Sequence, residues 1–70
     1  MPNLVKKLRK QKGYTQEKLA ELVGVTQRTI ISIEKEKYKP SLLLAYKLAC
    51  VFDTDIETLF CLKDYTGEKE

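Results

Sequence analysis

With 70 residues, the chain can bury one hydrophobic core and is too short for a second, catalytic domain. Its 43% hydrophobic and 33% charged residues are typical of a soluble globular domain, and no apolar run approaches the roughly 18 residues of a membrane span. The net charge of +3 is uneven, because residues 1–39 carry a net +6 and residues 40–70 a net −3. The first half therefore favours an anionic partner, although lysines that merely solvate helix faces would give the same pattern.

The first predicted helix spans residues 4–12. Asn3 is a good N-cap, and Gly13 provides the left-handed conformation that commonly ends a helix. The apolar residues between them recur at helical spacing, namely Leu4, Val5 and Leu8. Polar residues follow this basic segment, instead of the apolar region and cleavage site of a signal peptide, so we expect a cytoplasmic protein.

Two further helices are predicted at 16–23 and 27–35. Thr15 and Thr26 each precede an amphipathic stretch, where a hydroxyl can cap the first turn. Gly24 separates the two stretches, because glycine takes a backbone conformation that is costly for other residues. The apolar positions of the two helices are Leu19, Ala20, Leu22, Val23, Ile30 and Ile33.

The fourth helix is predicted at 41–52, starting at Ser41, and the fifth at 55–62, with acidic residues in its first turn. One apolar stripe marks the fourth helix, formed by Ala45, Leu48, Ala49 and Phe52. Five short helices with short connections predict an all-α, compact five-helix bundle. We expect one domain over residues 1–62 and a polar, fraying tail at 63–70.

The two cysteines, Cys50 and Cys61, could pair with each other. A lone disulfide suits a regular helical core without an export signal poorly, so two free thiols are the preferred interpretation. With no histidine in the sequence, two cysteines provide too few ligands for structural zinc and no base for a Cys-His nucleophile. We therefore expect no metal, no cofactor and no enzymatic activity.

The stretch QEKLAELVGVTQRTIISIEK, residues 16–35, has the residue types that two helices joined by a tight turn require. Ala20 lets the second helix approach closely, Gly24 takes the conformation of the turn, and Val25 plugs the turn into the core. An arbitrary pair of amphipathic helices would not need all of these residue types together.

This stretch and its flanks, LRKQKGYTQEKLAELVGVTQRTIISIEKEKYKPSL and AYKLACVFDTDIETLF, resemble the Cro/C1 (Xre) family of helix-turn-helix regulators, the phage-repressor-like DNA-binding domains. The resemblance covers nearly the whole chain. It implies a lambda-repressor-like fold whose third helix lies in the major groove of double-stranded operator DNA. It also implies a homodimer, a palindromic operator and transcription regulation, most simply repression, with no small-molecule substrate.

By this resemblance, the base-reading residues lie on the outer side of the third helix: Gln27, Arg28, Ser32 and Ile31. Gln27 has the amide that pairs with adenine, Arg28 has the fork that pairs with guanine, and Ser32 can donate or accept. Ile31 either contacts a thymine methyl or is ordinary surface. Outside this motif, Gln27 and Arg28 would be interpreted as solvated helix residues.

The resemblance assigns a second set of residues, near the helix ends, to the phosphate backbone. They are Thr15, Gln16, Thr29, Lys35, Lys37, Tyr38 and Lys39. For the loop lysines, plain solvent exposure is the competing interpretation. We also expect a hydrogen bond between Gln16 and Gln27.

Two expectations about structure come from the family pattern. An ion pair between Arg9 and Glu34 should join the first helix to the end of the third. The family commonly reads Glu-Asn-Gly-Lys where this chain reads Glu-Lys-Glu-Lys at 34–37, so the usual glycine is missing. Either the third helix runs a residue or two longer, or Glu36 adopts a positive φ.

Surplus apolar residues in the second half indicate a partner, most simply a second copy. The expected dimer-interface residues are Leu43, Leu44, Leu59 and Cys61, with core burial as the competing account for Leu44. A rival function is a protein-interaction adaptor or antitoxin-type regulator with the same fold. For the DNA-binding function, we expect a prokaryotic, nucleoid-associated protein.

Overall fold

The computed structural model describes residues 2–63, which form five helices and no strand. The helices are α1 (Val5–Gln11), α2 (Gln16–Val23), α3 (Gln27–Glu34), α4 (Leu42–Val51) and α5 (Ile56–Leu59). The predicted all-α, five-helix fold is confirmed, and α2 has the predicted bounds. The other helices are one to four residues shorter than predicted, mainly because the predictions counted capping residues as helix.

Two further predictions concern the C-terminal tail and the absence of a membrane span. Of the polar tail predicted at 63–70, residues 64–70 lie outside the described residues. Within 2–63, no helix combines the length and the apolar character that crossing a lipid bilayer requires.

Side-chain oxygens cap the first turns of α2 to α5. In each case the oxygen accepts from the backbone N–H three residues later, which satisfies a group that has no partner within the helix. The cap-to-nitrogen distances are 2.9 Å at Thr15, 3.3 Å at Thr26, 3.2 Å at Ser41 and 2.7 Å at Asp55. At Asp55, the N–H of Thr58 lowers the pKa of the carboxyl below its ordinary value.

Asn3 acts differently from the prediction. The N-cap of α1 is Leu4, one residue later, while Asn3 Oδ1 accepts from the N–H of Val5 at 3.0 Å. Asn3 Nδ2 donates to the carbonyl of Ile33 at 2.9 Å. The Asn3 amide therefore supports the start of α1 and also ties it to the end of α3.

The first four helices end in the same way, with a residue of positive φ and an N–H that reaches back five residues. The positive-φ residues are Gly13 (75°), Gly24 (76°), Glu36 (63°) and Asp53 (56°). The returning N–H groups belong to Tyr14, Val25, Lys37 and Thr54, at 2.9 to 3.1 Å from their carbonyl oxygens. Of the two alternatives for the missing glycine, the structure has the positive φ at Glu36, and α3 ends at Glu34.

The hydrophobic core is shared by all five helices. α2 packs against both α3 and α4, α1 packs against α3, and α4 packs against α5. The backbone N–H of Leu4 also donates to the carbonyl of Leu59 at 2.8 Å, which joins the start of α1 to the end of α5. The predicted stripe of α4 is buried, whereas Leu22, predicted on the apolar side of α2, is 44% exposed.

Two predicted dimer-interface residues belong to this core instead. Leu59 is 0% exposed and Leu44 is 7% exposed, because α5 folds back on α4 and closes the core around them. The prediction that they contact a second copy is therefore wrong. Leu43 remains 62% exposed, and Cys61 is half-buried.

Replacing Glu36 by glycine should raise the free energy of unfolding by up to about 1 kcal/mol. Glycine adopts a positive φ without the steric cost that a Cβ imposes. Urea unfolding followed by circular dichroism measures this change. The matched control is Lys35→Gly, at the exposed neighbour whose φ is −85°, which should lower stability. A Glu36→Gly chain less stable than the unchanged one would contradict the strain at this position.

Candidate nucleic-acid interface

α2 and α3 are joined by three residues, Gly24, Val25 and Thr26. Gly24 takes the left-handed conformation, and the N–H of Val25 donates to the carbonyl of Ala20 at 3.0 Å. Val25 is half-buried and packs against the core, and Ala20 is 3% exposed. The turn therefore has the construction that the sequence predicted, and it fixes the direction in which α3 leaves α2.

The burial of two isoleucines sets which side of α3 faces outward. Ile30 and Ile33 are both 0% exposed, so the opposite side of the helix is the accessible one. At about 100° per residue, the predicted base-reading residues fall within an arc of about 140° on that side. Gln27 and Arg28 are exposed, and Ile31 and Ser32 are half-buried. The structure thus brings all four onto one accessible surface, which we call the outward side of α3.

The residues assigned to phosphate contacts lie at two places. Thr15 is exposed at the start of α2, and an exposed basic segment follows α3, formed by Lys35, Lys37, Tyr38 and Lys39. Thr29 differs, because the residue is half-buried and its hydroxyl lies 3.2 Å from the hydroxyl of Thr26, within hydrogen-bonding distance. The structure thus leaves Thr15 and the segment after α3 accessible to a ligand, and Thr29 less so.

Glu34 is the centre of a hydrogen-bonded network that holds the end of α3. Arg9 donates to it twice, from Nε to Oε2 at 2.6 Å and from Nη2 to Oε1 at 3.2 Å. The ion pair expected between them is present, and the side chains are only 10% and 4% exposed. Arg9 Nη1 also donates to the carbonyl of Tyr14 at 2.8 Å, in the connection between α1 and α2. One guanidinium therefore joins three parts of the fold.

Gln16 makes a different contact from the predicted one. Its Nε2 donates to Glu34 Oε1 at 3.1 Å, and the hydrogen bond expected with Gln27 is not formed. The reason is twofold: a charged carboxylate is the stronger acceptor, and Gln27 is directed to solvent by the orientation of α3. Gln16 thus completes the Glu34 network. It is half-buried and is the first residue of α2, so the network also joins the start of α2 to the end of α3.

Sequence reasoning missed Asn3 as a second link between α1 and α3. An asparagine before a helix predicts a cap, and nothing in its surroundings indicates that its amide nitrogen reaches a carbonyl 30 residues away. With Arg9, it makes two polar attachments at the end of α3.

The exposed charges around α3 are mainly positive. The charge of Glu34 is compensated by Arg9, while the exposed charged residues are four bases and one acid: Arg28, Lys35, Lys37, Lys39 and Glu36. This arrangement favours a polyanion over a cation. In the part of the chain that the structure describes, no group of three His, Cys, Asp or Glu side chains is placed to hold a metal ion.

Comparison with known proteins relates this architecture to transcription regulators. A helix-turn-helix family model matches residues 5–59. The HTH-type transcriptional regulator YgzD of Bacillus subtilis (strain 168) is 52% identical over 64 residues, covering 91% of this chain and 97% of that protein. An HTH-type transcriptional regulator of Methanothermobacter thermautotrophicus is 49% identical over 70 residues, covering 99% of this chain and 100% of that protein.

Solved structures agree with the sequence relatives. SinR in the SinR/SinI complex has a TM-score of 0.75 at 36% identity, over 89% of this chain and 61% of the matched chain. SinR, the master regulator for biofilm formation, in complex with DNA has a TM-score of 0.70 at 36% identity, over 77% of this chain and 87% of that chain. These proteins are regulators rather than enzymes, and the fold they share with this chain is that of a DNA-binding domain.

Glu34→Ala should lower the free energy of unfolding by about 3 kcal/mol, because it leaves a nearly buried guanidinium without its counter-charge. Thermal and urea unfolding measure the loss. Glu21→Ala, which removes an exposed carboxylate from α2, is the control and should change stability by less than about 0.5 kcal/mol. The double variant Arg9→Met with Glu34→Leu should lose much less than the sum of the single changes. If the stability losses of the two single variants add up to the loss of the double variant, the energetic coupling between Arg9 and Glu34 is contradicted.

Proposed function

The chain belongs to the helix-turn-helix family of transcriptional regulators, and from this premise we propose that it represses transcription by binding a palindromic operator as a homodimer. In this proposal the outward side of α3 enters the major groove. The observation that carries it is the exposure of Gln27 and Arg28 at the first two positions of a helix whose opposite side is locked into the core.

The chemistry of the outward side of α3 supports base reading. The Gln27 amide can donate to N7 and accept from N6 of adenine, and the Arg28 guanidinium can donate to both O6 and N7 of guanine. Ser32 can bond to either kind of base, and the side chain of Ile31 offers an apolar surface to a thymine methyl. An α-helix fits the width of the major groove, so the four side chains can reach neighbouring base pairs.

Phosphate contacts would fix the register of α3 on the duplex. Lys35, Lys37 and Lys39 provide ammonium groups beyond the end of α3, and Tyr38 adds a hydroxyl. At the start of α2, Thr15 and Gln16 lie close to unpaired helix N–H groups, where anions bind readily. The similar protein SinR has been solved with DNA, which supports nucleic acid as the ligand of this fold.

The homodimer and the operator symmetry belong together in this proposal. A twofold-related pair of domains would present two α3 helices about 34 Å apart, one turn of DNA, and would read a palindrome. Such a repressor would act by occupying its operator, in the cytoplasm and in association with the nucleoid.

A protein-binding regulator is the second proposal. Its support is that SinR has also been solved in complex with another protein, SinI. Such a role, as an adaptor or an antitoxin-type regulator, predicts partner capture that survives high salt, because apolar contacts release no counterions. DNA binding instead weakens steeply as salt is raised.

Arg28→Ala and Gln27→Ala should each weaken binding to a selected operator by about tenfold to a hundredfold and relax sequence preference at one base pair. Random-oligonucleotide selection with the purified chain supplies the operator, and fluorescence anisotropy measures the affinities. Lys7→Ala is the matched control, since it removes one exposed positive charge from α1. Unchanged sequence preference in both α3 variants would refute the base-reading assignment.

Lys35→Ala and Lys37→Ala should weaken binding equally for all DNA sequences. Each should also reduce the slope of log affinity against log salt by about 0.9, the contribution of one phosphate contact. Affinities at several salt concentrations provide the slope. A slope that stays the same would show that the lysine is merely solvated.

A further inference from the structure

The outward side of α4 is apolar. Leu42, Leu43 and Tyr46 are 78%, 62% and 58% exposed, and Cys50 is exposed as well. At about 100° per residue, these four side chains fall within an arc of about 100°, opposite the buried side that includes Leu48. We call this set the α4 apolar face. Contiguous exposed apolar surface on a small domain marks an interface more often than it marks ordinary surface.

We propose that the α4 apolar face is the homodimer interface, in which α4 packs antiparallel against α4 of a second copy with the twofold axis at Tyr46. This inference rests on the homodimer of the proposed function. It goes further by assigning the surface, the helix orientation and the residues that meet. It also replaces Leu44 and Leu59, which are buried within the domain.

The charges at the two ends of α4 favour a second copy as the occupant. The exposed Lys39 precedes α4, and the exposed Asp53 follows it. Antiparallel packing brings each Lys39 towards Asp53 of the other copy and places the positive N-terminus of one helix beside the negative C-terminus of the other. Parallel packing would bring like charges together, and a partner of one charge sign would match only one end.

The spacing along α4 sets the register. Leu42 and Cys50 lie one turn before and one turn after Tyr46. With Tyr46 on the axis, its ring meets the ring of Tyr46 in the second copy, where an offset arrangement is favourable. Leu42 then meets Cys50 of the second copy, and Leu43 lies towards the edge of the contact. Lys47 borders the face, where its ammonium group keeps its contact with water.

The small size of the α4 apolar face implies a weak dimer. A stable interface buries about 800 Å² on each partner, more than one short helix offers, so we expect dimerisation at about micromolar concentration or above. Two half-sites on one duplex would hold two copies close together and raise their effective concentration. The dimer would therefore form mainly on its operator.

Sedimentation equilibrium of the full chain under reducing conditions tests the interface. We expect a monomer–dimer equilibrium that Tyr46→Lys weakens at least tenfold, because two ammonium groups would meet on the axis. The control Gln11→Lys adds the same charge at an exposed position of α1 and should leave the equilibrium unchanged. Thermal unfolding checks that Tyr46→Lys is folded. Two results would overturn the proposal. One is a monomer at every concentration, as expected if another part of the chain or another protein covers the α4 apolar face. The other is a Tyr46→Lys chain that dimerises as strongly as the unchanged chain.

Cross-linking tests the antiparallel register. Leu42→Cys in a Cys61→Ser background should form a disulfide-linked dimer through Cys50 on mild oxidation. The matched chain that also carries Cys50→Ser should stay unlinked. A parallel arrangement gives the reverse result, in which Cys61→Ser alone links through Cys50 to Cys50, and that outcome would overturn the orientation.

DNA binding separates this inference from the proposed function. Tyr46→Lys should bind a single half-site with the same affinity as the unchanged chain. It should lose the palindrome advantage, which is the higher affinity of the unchanged chain for the palindrome than for one half-site. Arg28→Ala should lose affinity on both duplexes and still dimerise in solution. If Tyr46→Lys keeps the palindrome advantage while Arg28→Ala loses affinity, the interface assignment is wrong and DNA recognition by α3 stands. If Tyr46→Lys abolishes the dimer while Arg28→Ala binds DNA normally, base reading is wrong and the interface stands.

Discussion

The position of α3 relative to the other helices depends on the nearly buried ion pair between Arg9 and Glu34. Burying two charges is unfavourable unless they are paired and their hydrogen bonds are satisfied. Here the carboxylate accepts from Arg9 and from Gln16, and the guanidinium also reaches the carbonyl of Tyr14. Because these hydrogen bonds join Glu34 to α1 and α2 at once, they hold the end of α3 in one position against both helices. Asn3 adds a second attachment at the carbonyl of Ile33.

The isoleucines complete this constraint by fixing the rotation of α3 about its own axis. Ile30 and Ile33 occupy the core, so the side that carries Gln27 and Arg28 is directed to solvent. Neither polar residue is needed for packing, which leaves both available for a ligand. The same division holds for α4, whose inner side belongs to the core and whose outer side is apolar and exposed. In our proposals, the outer side of α3 binds DNA and the outer side of α4 binds a second copy.

Much of this structure could be predicted from local signals. Thr15, Thr26 and Ser41 cap helices where a hydroxyl precedes an amphipathic stretch, and Gly13 and Gly24 end helices where glycine favours a positive φ. Two errors are local, since Leu4 rather than Asn3 is the N-cap of α1 and Leu22 is exposed. The errors that affect the proposed surfaces concern contacts between distant residues. The partner of Gln16 depends on where α3 places a carboxylate 18 positions away, and no local pattern records that distance. Similarly, Leu44 and Leu59 resemble surplus apolar residues in the sequence, and only the packing of α5 on α4 makes them core.

The most direct test of the central claim examines the major-groove edge of guanine. In a selected operator, the guanine that pairs with Arg28 can be replaced by 7-deazaguanine, which lacks the N7 acceptor and keeps its base pairing. The account predicts that this replacement weakens binding of the unchanged chain by about tenfold and causes no further loss for Arg28→Ala. An equal loss for both proteins, or no loss at any guanine of the operator, would contradict the reading of bases by the outward side of α3.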